Sequence, residues 1–142
     1  MLVIERFLRE HSKDEPMSIF VGGTLKRVTV IESVAKFFRY YMGYAAEYAN
    51  PMFDIDQAYP EIVEKTYGYI HQADAMFMIP KYDGTLGEAS THEVMFARYV
   101  DTPVYILSNK DISYIKGIVA SDILLCDKIL GKTYIERRKE NE

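Results

Sequence analysis

The sequence predicts an α/β domain: a mostly parallel, five-stranded sheet, doubly wound, with helices on both faces. Three observations carry this expectation. The apolar runs Met17 to Val21, Ala75 to Ile79 and Val104 to Leu107 are short and unbroken, as in strands buried on both faces. The segments between them repeat apolar residues at spacings of three and four, the period of a helix with one buried face. The two patterns alternate from Met17 to Cys126, the order that parallel strands joined by helical crossovers require.

Each element follows from its own signals. Leu2, Ile4, Phe7 and Leu8 predict a short amphipathic helix over 2–11, broken by Lys13-Asp14-Glu15-Pro16. Residues 1–16 are read as a helical extension ahead of an α/β domain spanning 17–142. Met17 to Val21 is the first strand, and Gly22-Gly23-Thr24 its turn. Ile31, Val34, Ala35, Phe38 and Met42 mark a helix over 28–42 that stops at Gly43. Tyr44 to Tyr48 is the second strand, followed by a loop from Asn50 to Tyr59 with acids at Asp54 and Asp56. Pro60 and Glu61 suit the first turn of a helix that buries Ile62, Val63, Tyr67 and Ile70. Ala75 to Ile79 is the third strand, closed by Pro80, which has no N–H for further pairing. A polar loop leads to a helix over 91–99, then to the fourth strand. Residues 110–119 form a helix through Ile112, Ile115 and Val119, and Ile123 to Cys126 a fifth strand or its equivalent. The arrangement is Rossmann-like, with ligands expected beyond the carboxyl ends of the strands.

Composition narrows the function. The chain has 142 residues, enough for one domain with a sizeable core. Its net charge of −4 gives no electrostatic footprint for DNA or RNA. The basic stretch Arg137-Arg138-Lys139 is interleaved with acids and reads as a solvated end. The single cysteine, Cys126, lies in the apolar run ILLC and reads as a buried, inert thiol in a reducing compartment. No signal peptide and no run near the roughly 20 apolar residues of a membrane span is present. A cytoplasmic protein without membrane contact is expected. The 12 tyrosines, against no tryptophan, cluster at Tyr40, Tyr41, Tyr44 and Tyr48 and at Tyr59, Tyr67 and Tyr69. Singly they read as half-buried aromatics; as a cluster they suggest a subunit interface.

The residues fit for chemistry lie at predicted strand ends. Gly22-Gly23-Thr24 offers backbone N–H groups to an anion, with Lys26 and Arg27 immediately after, although glycine serves turn geometry as often. Asp83-Gly84-Thr85-Leu86-Gly87 is a polar loop in which Asp83 suits a turn. Ser90 or Thr91 caps the next helix, which puts Glu93 in its first turn, where the helix dipole favours a carboxylate. His11, His71 and His92 share no metal-ligand spacing, so no metal site is expected. Neither a dinucleotide fingerprint, a P-loop nor a serine or cysteine nucleophile motif occurs, and no cofactor is expected.

Four segments resemble the nucleoside 2-deoxyribosyltransferase superfamily, which includes the 2'-deoxynucleoside 5'-phosphate N-hydrolases. They are Ile19-Phe20-Val21-Gly22-Gly23, Gln72-Ala73-Asp74, Glu93 with Ala97, and Thr102-Pro103-Val104. The resemblance covers roughly Met17 to Leu107 and implies that Glu93 is the nucleophile attacking the anomeric carbon to form a glycosyl ester. Asp83 is then the nearest carboxyl to protonate the leaving base. Substrate contacts are implied at Phe20, Gly22, Gly23, Thr66, Gly87 and Ser90. Phe20 stands where the family has a tyrosine that orients the glutamate, and Thr66 where it has an aspartate on the sugar hydroxyls. The family completes its sites across subunits, so a homodimer or larger homo-oligomer is implied, with Ser108, Asn109 and Ser113 as candidate contributors.

Three functions fit these residues. One is cleavage or transfer of the N-glycosidic bond of a (deoxy)nucleoside or nucleoside 5'-monophosphate. Another is a non-catalytic domain that binds or senses a nucleotide-derived ligand. The third is an interaction protein whose Tyr-rich faces build an oligomer. Lys26 and Arg27 favour a 5'-phosphate on the ligand.

Overall fold

A computed structural model describes residues 1–48 and 59–130 of the chain. The acidic positions Asp54 and Asp56 and the basic stretch 137–139 lie outside the described residues. Helix α1 (Val3–Glu10) precedes strand β1 (Ser18–Gly23), which leads through a 3-10 turn (Leu25–Arg27) into α2 (Val28–Tyr40). Strand β2 (Ala45–Tyr48), helix α3 (Tyr59–Gln72), strand β3 (Ala75–Ile79), helix α4 (Glu88–Tyr99) and strand β4 (Val104–Ile106) follow in turn. Helices α5 (Asn109–Ala120) and α6 (Ile123–Leu130) end the described chain. The strands form a four-stranded sheet in the order β2-β1-β3-β4, and every pairing is parallel.

The fifth strand expected at Ile123 to Cys126 is instead the start of α6. A short apolar run fits a strand or a buried helix equally by periodicity. Asp122 decides between them, because its Oδ1 accepts from the N–H groups of Leu124 (3.0 Å) and Leu125 (3.2 Å). Those are N–H groups that a starting helix leaves unpaired.

Side chains alternate across the sheet and feed two cores. Ile19, Val21, Ala75, Phe77, Ile79 and Leu107 pack with α1, α2, α5 and α6. Phe20, Met76 and Met78 pack with Ile70 and Ala73 and with Val94 and Ala97 of α4. Helix α1 belongs to the first core: Ile4 and Phe7 are buried, and the Phe7 ring meets Phe77 edge-on at 5.0 Å. It is anchored by Asp111, whose Oδ1 accepts the Ile4 N–H at 3.0 Å while Oδ2 accepts from the Ser108 N–H and hydroxyl. One buried carboxylate thus caps the starts of two helices.

The first tyrosine cluster is used mainly in this packing. Tyr44 is buried and donates its hydroxyl to the Ser12 carbonyl at 2.7 Å, and Tyr41 stacks on Phe37 beneath the Lys13 ammonium. A cavity of about 370 Å³ lies between α2, α5 and α6, lined by Val30, Val34, Ile115, Val119 and Cys126. Lys116 is the one charged residue in its lining. Among the described residues, no helix is long and apolar enough to cross a membrane.

Candidate active site

Because the strands are parallel, β1 and β3 end side by side, with Gly22 paired to Met78 and Gly23 to Ile79. The helices that follow them diverge: α2 packs in the first core and α4 in the second. In open parallel sheets the ligand crevice lies where the chain parts in this way. Helix α4 begins at Glu88 with Gly87 as its N-cap, three residues earlier than the sequence predicts. Ser90 therefore does not cap the helix, and Glu93 falls in its second turn rather than its first. That phase sets the face: Ser90, Val94 and Ala97 are buried and turned to the sheet, with Glu93 beside them.

Glu93 reaches the strand end itself. Its Oε2 lies 3.4 Å from where a Cβ on Gly22 would sit, and the same point is 3.1 Å from Phe20 Cε1 and 3.6 Å from Met76 Cε. The carboxyl thus lies in van der Waals reach of Gly22, beside Phe20 and Met76, and a side chain at Gly22 would crowd Phe20 first. Among the described residues, no hydrogen bond or ion pair satisfies Glu93. Burial against these apolar groups pushes its carboxyl up to about 7. Helix-dipole placement explains none of this, since that field acts within the first turn.

Gly23 serves the backbone instead. Its φ is +154°, and a Cβ there would meet the Ile79 carbonyl oxygen at 2.3 Å. The next residue, Thr24, donates its N–H to that carbonyl at 3.2 Å. Only glycine permits this approach of the two strand ends.

Arg27 is not a free phosphate-binding cation. It is buried, with Nη1 donating to the Pro80 carbonyl at 3.0 Å and the guanidinium lying 4.2 Å over the Tyr82 ring. Lys26 beside it is exposed. Sequence reasoning missed the Arg27–Tyr82 contact, and no local signal marks it, because it joins two loops 55 positions apart.

The other expected residues divide into near and far. Phe20 is fully buried under Gly22 and stacks on Tyr69, so it supports the site without facing a ligand. Thr66 is buried on α3 one turn before Ile70, hence toward the carboxyl edge of the sheet, because α3 runs back against the strands. Gly87 caps α4 through its carbonyl, which accepts from the Thr91 hydroxyl at 2.8 Å. Asp83 is turned into its own loop: Oδ1 accepts from the Thr85 hydroxyl (2.7 Å) and N–H (2.9 Å). These bonds, the hydroxyl first, hold its carboxyl below the usual range. An exposed acid held in its ionised form is unsuited to protonate a leaving base. Ser108 caps α5, Asn109 donates to the Tyr82 carbonyl at 3.1 Å, and Ser113 is exposed.

Set beside known proteins, the chain matches no family model, no curated protein and no solved structure. Among the described residues, no cluster of three or more His, Cys, Asp or Glu is placed to hold a metal. What the cleft offers is one carboxyl, poised near neutrality, over an apolar floor at two strand ends. Such a group can take up or release a proton, or attack an electrophilic carbon when ionised.

Proposed function

We propose that this protein cleaves or transfers the N-glycosidic bond of a (deoxy)nucleoside or nucleoside 5'-monophosphate, with Glu93 as nucleophile. The observation that carries this reading is the Glu93 carboxyl held against Gly22 beside Phe20 and Met76, without a hydrogen-bond or ion-pair partner among the described residues. An ionised carboxylate there is well suited to a sugar carbon that becomes positively charged as the base departs. The bond formed is Glu93 Oε to the anomeric carbon, and the bond broken is that carbon to the base nitrogen. Water or a second base then takes the sugar and frees Glu93. The sheet is read as doubly wound, with its switch point between β1 and β3, where ligands of such sheets bind. The chain's resemblance to the nucleoside 2-deoxyribosyltransferases supports the same substrate class and a cytoplasmic homo-oligomer.

A non-catalytic nucleotide-binding domain is the second reading, favoured by two observations. Asp83 is engaged by Thr85, and among the described residues no side chain hydrogen-bonds Glu93. The test is chromatography for free base after incubation with a panel of deoxynucleosides and their 5'-monophosphates. Release by the wild type that is lost in Glu93→Gln supports the enzyme. Binding of a panel member without release supports the second reading.

A further inference from the structure

The loop between β3 and α4 is built with unusual firmness around one exposed ring. Tyr82 is 70% exposed, yet its surroundings are fixed. Arg27, itself only 5% exposed, covers one face of the ring at 4.2 Å and ties the preceding Pro80 carbonyl through Nη1. Asn109, the first residue of α5, holds the Tyr82 carbonyl. Within the loop, the Lys81 N–H donates to Thr85 and the Gly84 N–H to Lys81, both at 2.9 Å.

A buried guanidinium needs compensation for its lost hydration. Here Nε is buried with no hydrogen-bond partner among the described residues, where the interactions of this cation are one carbonyl and the Tyr82 ring. The arrangement fixes an aromatic plane whose second face is left to solvent. Its position is equally specific. Pro80 follows Ile79, the partner of Gly23, so the loop that carries Tyr82 leaves β3 at the strand end where Gly22 lies against Glu93.

We propose that Tyr82 is a stacking platform for a planar heteroaromatic ring, such as a nucleobase, held at the mouth of the cleft by Arg27 and Asn109. This inference rests on the cleft at Glu93 being the ligand site. A cation already on one face weakens the ring's attraction for a second cation and leaves stacking of a neutral base as the matching contact. The ring is held before binding, so little ordering opposes the contact.

The test uses 2-aminopurine and its 2'-deoxyriboside, whose fluorescence is quenched on stacking. Titrations of the deoxyriboside are made in the Glu93→Gln background, so that the ligand stays intact. Adding Tyr82→Ala is expected to raise Kd about tenfold and abolish the quench. Tyr82→Phe, which keeps the ring, is expected to restore both. Thermal melts of each variant verify folding, and Tyr82→Phe keeps a ring over Arg27 as the control for its lost cover. Unchanged Kd and quench in Tyr82→Ala, or no binding of either probe, overturns the platform. Base release by the wild type, assayed in parallel, separates the two ideas. Release with Tyr82-independent binding removes the platform alone, whereas Tyr82-dependent binding of the free base without release supports the platform and removes the glycosyl chemistry.

Discussion

The carboxyl of Glu93 lies against Gly22, with Oε2 3.4 Å from where a Cβ on that glycine would sit, the edge of ordinary van der Waals contact. A glycine on one strand and a glutamate 71 positions later on a helix therefore form a single unit. The neighbouring Gly23 is the more constrained of the two, because its positive φ and the Ile79 carbonyl leave no space for a Cβ.

The two glycines are expected to respond differently to the same change. Gly22→Ala brings a methyl to 3.1 Å from Phe20 and 3.4 Å from Glu93, contacts that side chains can relieve by small shifts. It should fold, lose about 1 kcal/mol as mild overpacking does, and lower base release only as far as the shift of Phe20 is passed on to Glu93. Gly23→Ala would press a methyl into the Ile79 carbonyl at 2.3 Å and should unfold the chain or leave it insoluble. Denaturant titration with activity assays separates these outcomes.

Glu93 should also make stability depend on pH. Its folded value of about 7 lies above the ordinary 4.5, so the unfolded chain releases this proton first as pH rises. Glu93 therefore favours the fold fully below about 4.5, and that contribution declines until about 7. The full shift corresponds to about 3 kcal/mol; with part of the side chain in water, about 2 kcal/mol is expected. Glu93→Gln should abolish the decline and be the more stable protein at pH 8. Urea titrations of both proteins from pH 4 to 8 provide the measurement.

The same shift fixes the sign of the rate profile. A nucleophile must be ionised, so kcat/KM should rise with pH and level off above about 7. A profile that falls through the same range would make Glu93 an acid instead.

Asp111 is the structural counterpart. Asp111→Ala leaves the buried Ile4 N–H without its acceptor and removes the carboxylate half of the capping box at the start of α5, leaving the Ser108 cap itself. A loss of about 2–4 kcal/mol follows from a buried, charge-assisted contact with several donors. Ser108→Ala, which keeps the carboxylate on Ile4, should lose about 1 kcal/mol. Hydrogen exchange in α1 should accelerate only in the Asp111 variant.

How far these features were legible in the sequence varies by residue. Strands β1 and β3 announced themselves, because parallel strands buried on both faces must be apolar throughout. Helix α6 did not, since four apolar residues fit either period; Asp122 ahead of them was the available cap signal. The start of α4 was hidden because its N-cap, Gly87, contributes no side chain, and the three-residue error moved Glu93 from the first turn to the second. Glu93 itself was identifiable from its order after a strand and a Gly-rich loop. Its burial was not, because that depends on Gly22 and Phe20 arriving from a distant strand. Arg27 shows the opposite failure: a basic residue after a glycine turn suggests an anion site, yet the fold turns it inward onto Pro80 and Tyr82.

The most direct test is rapid quenching of the wild-type protein with a deoxynucleoside substrate, followed by peptide mapping by mass spectrometry. The account predicts a deoxyribosyl group on the peptide that carries Glu93, accompanied by free base, and neither in Glu93→Gln. Base release by Glu93→Gln at the wild-type rate, with no adduct in either protein, would contradict it.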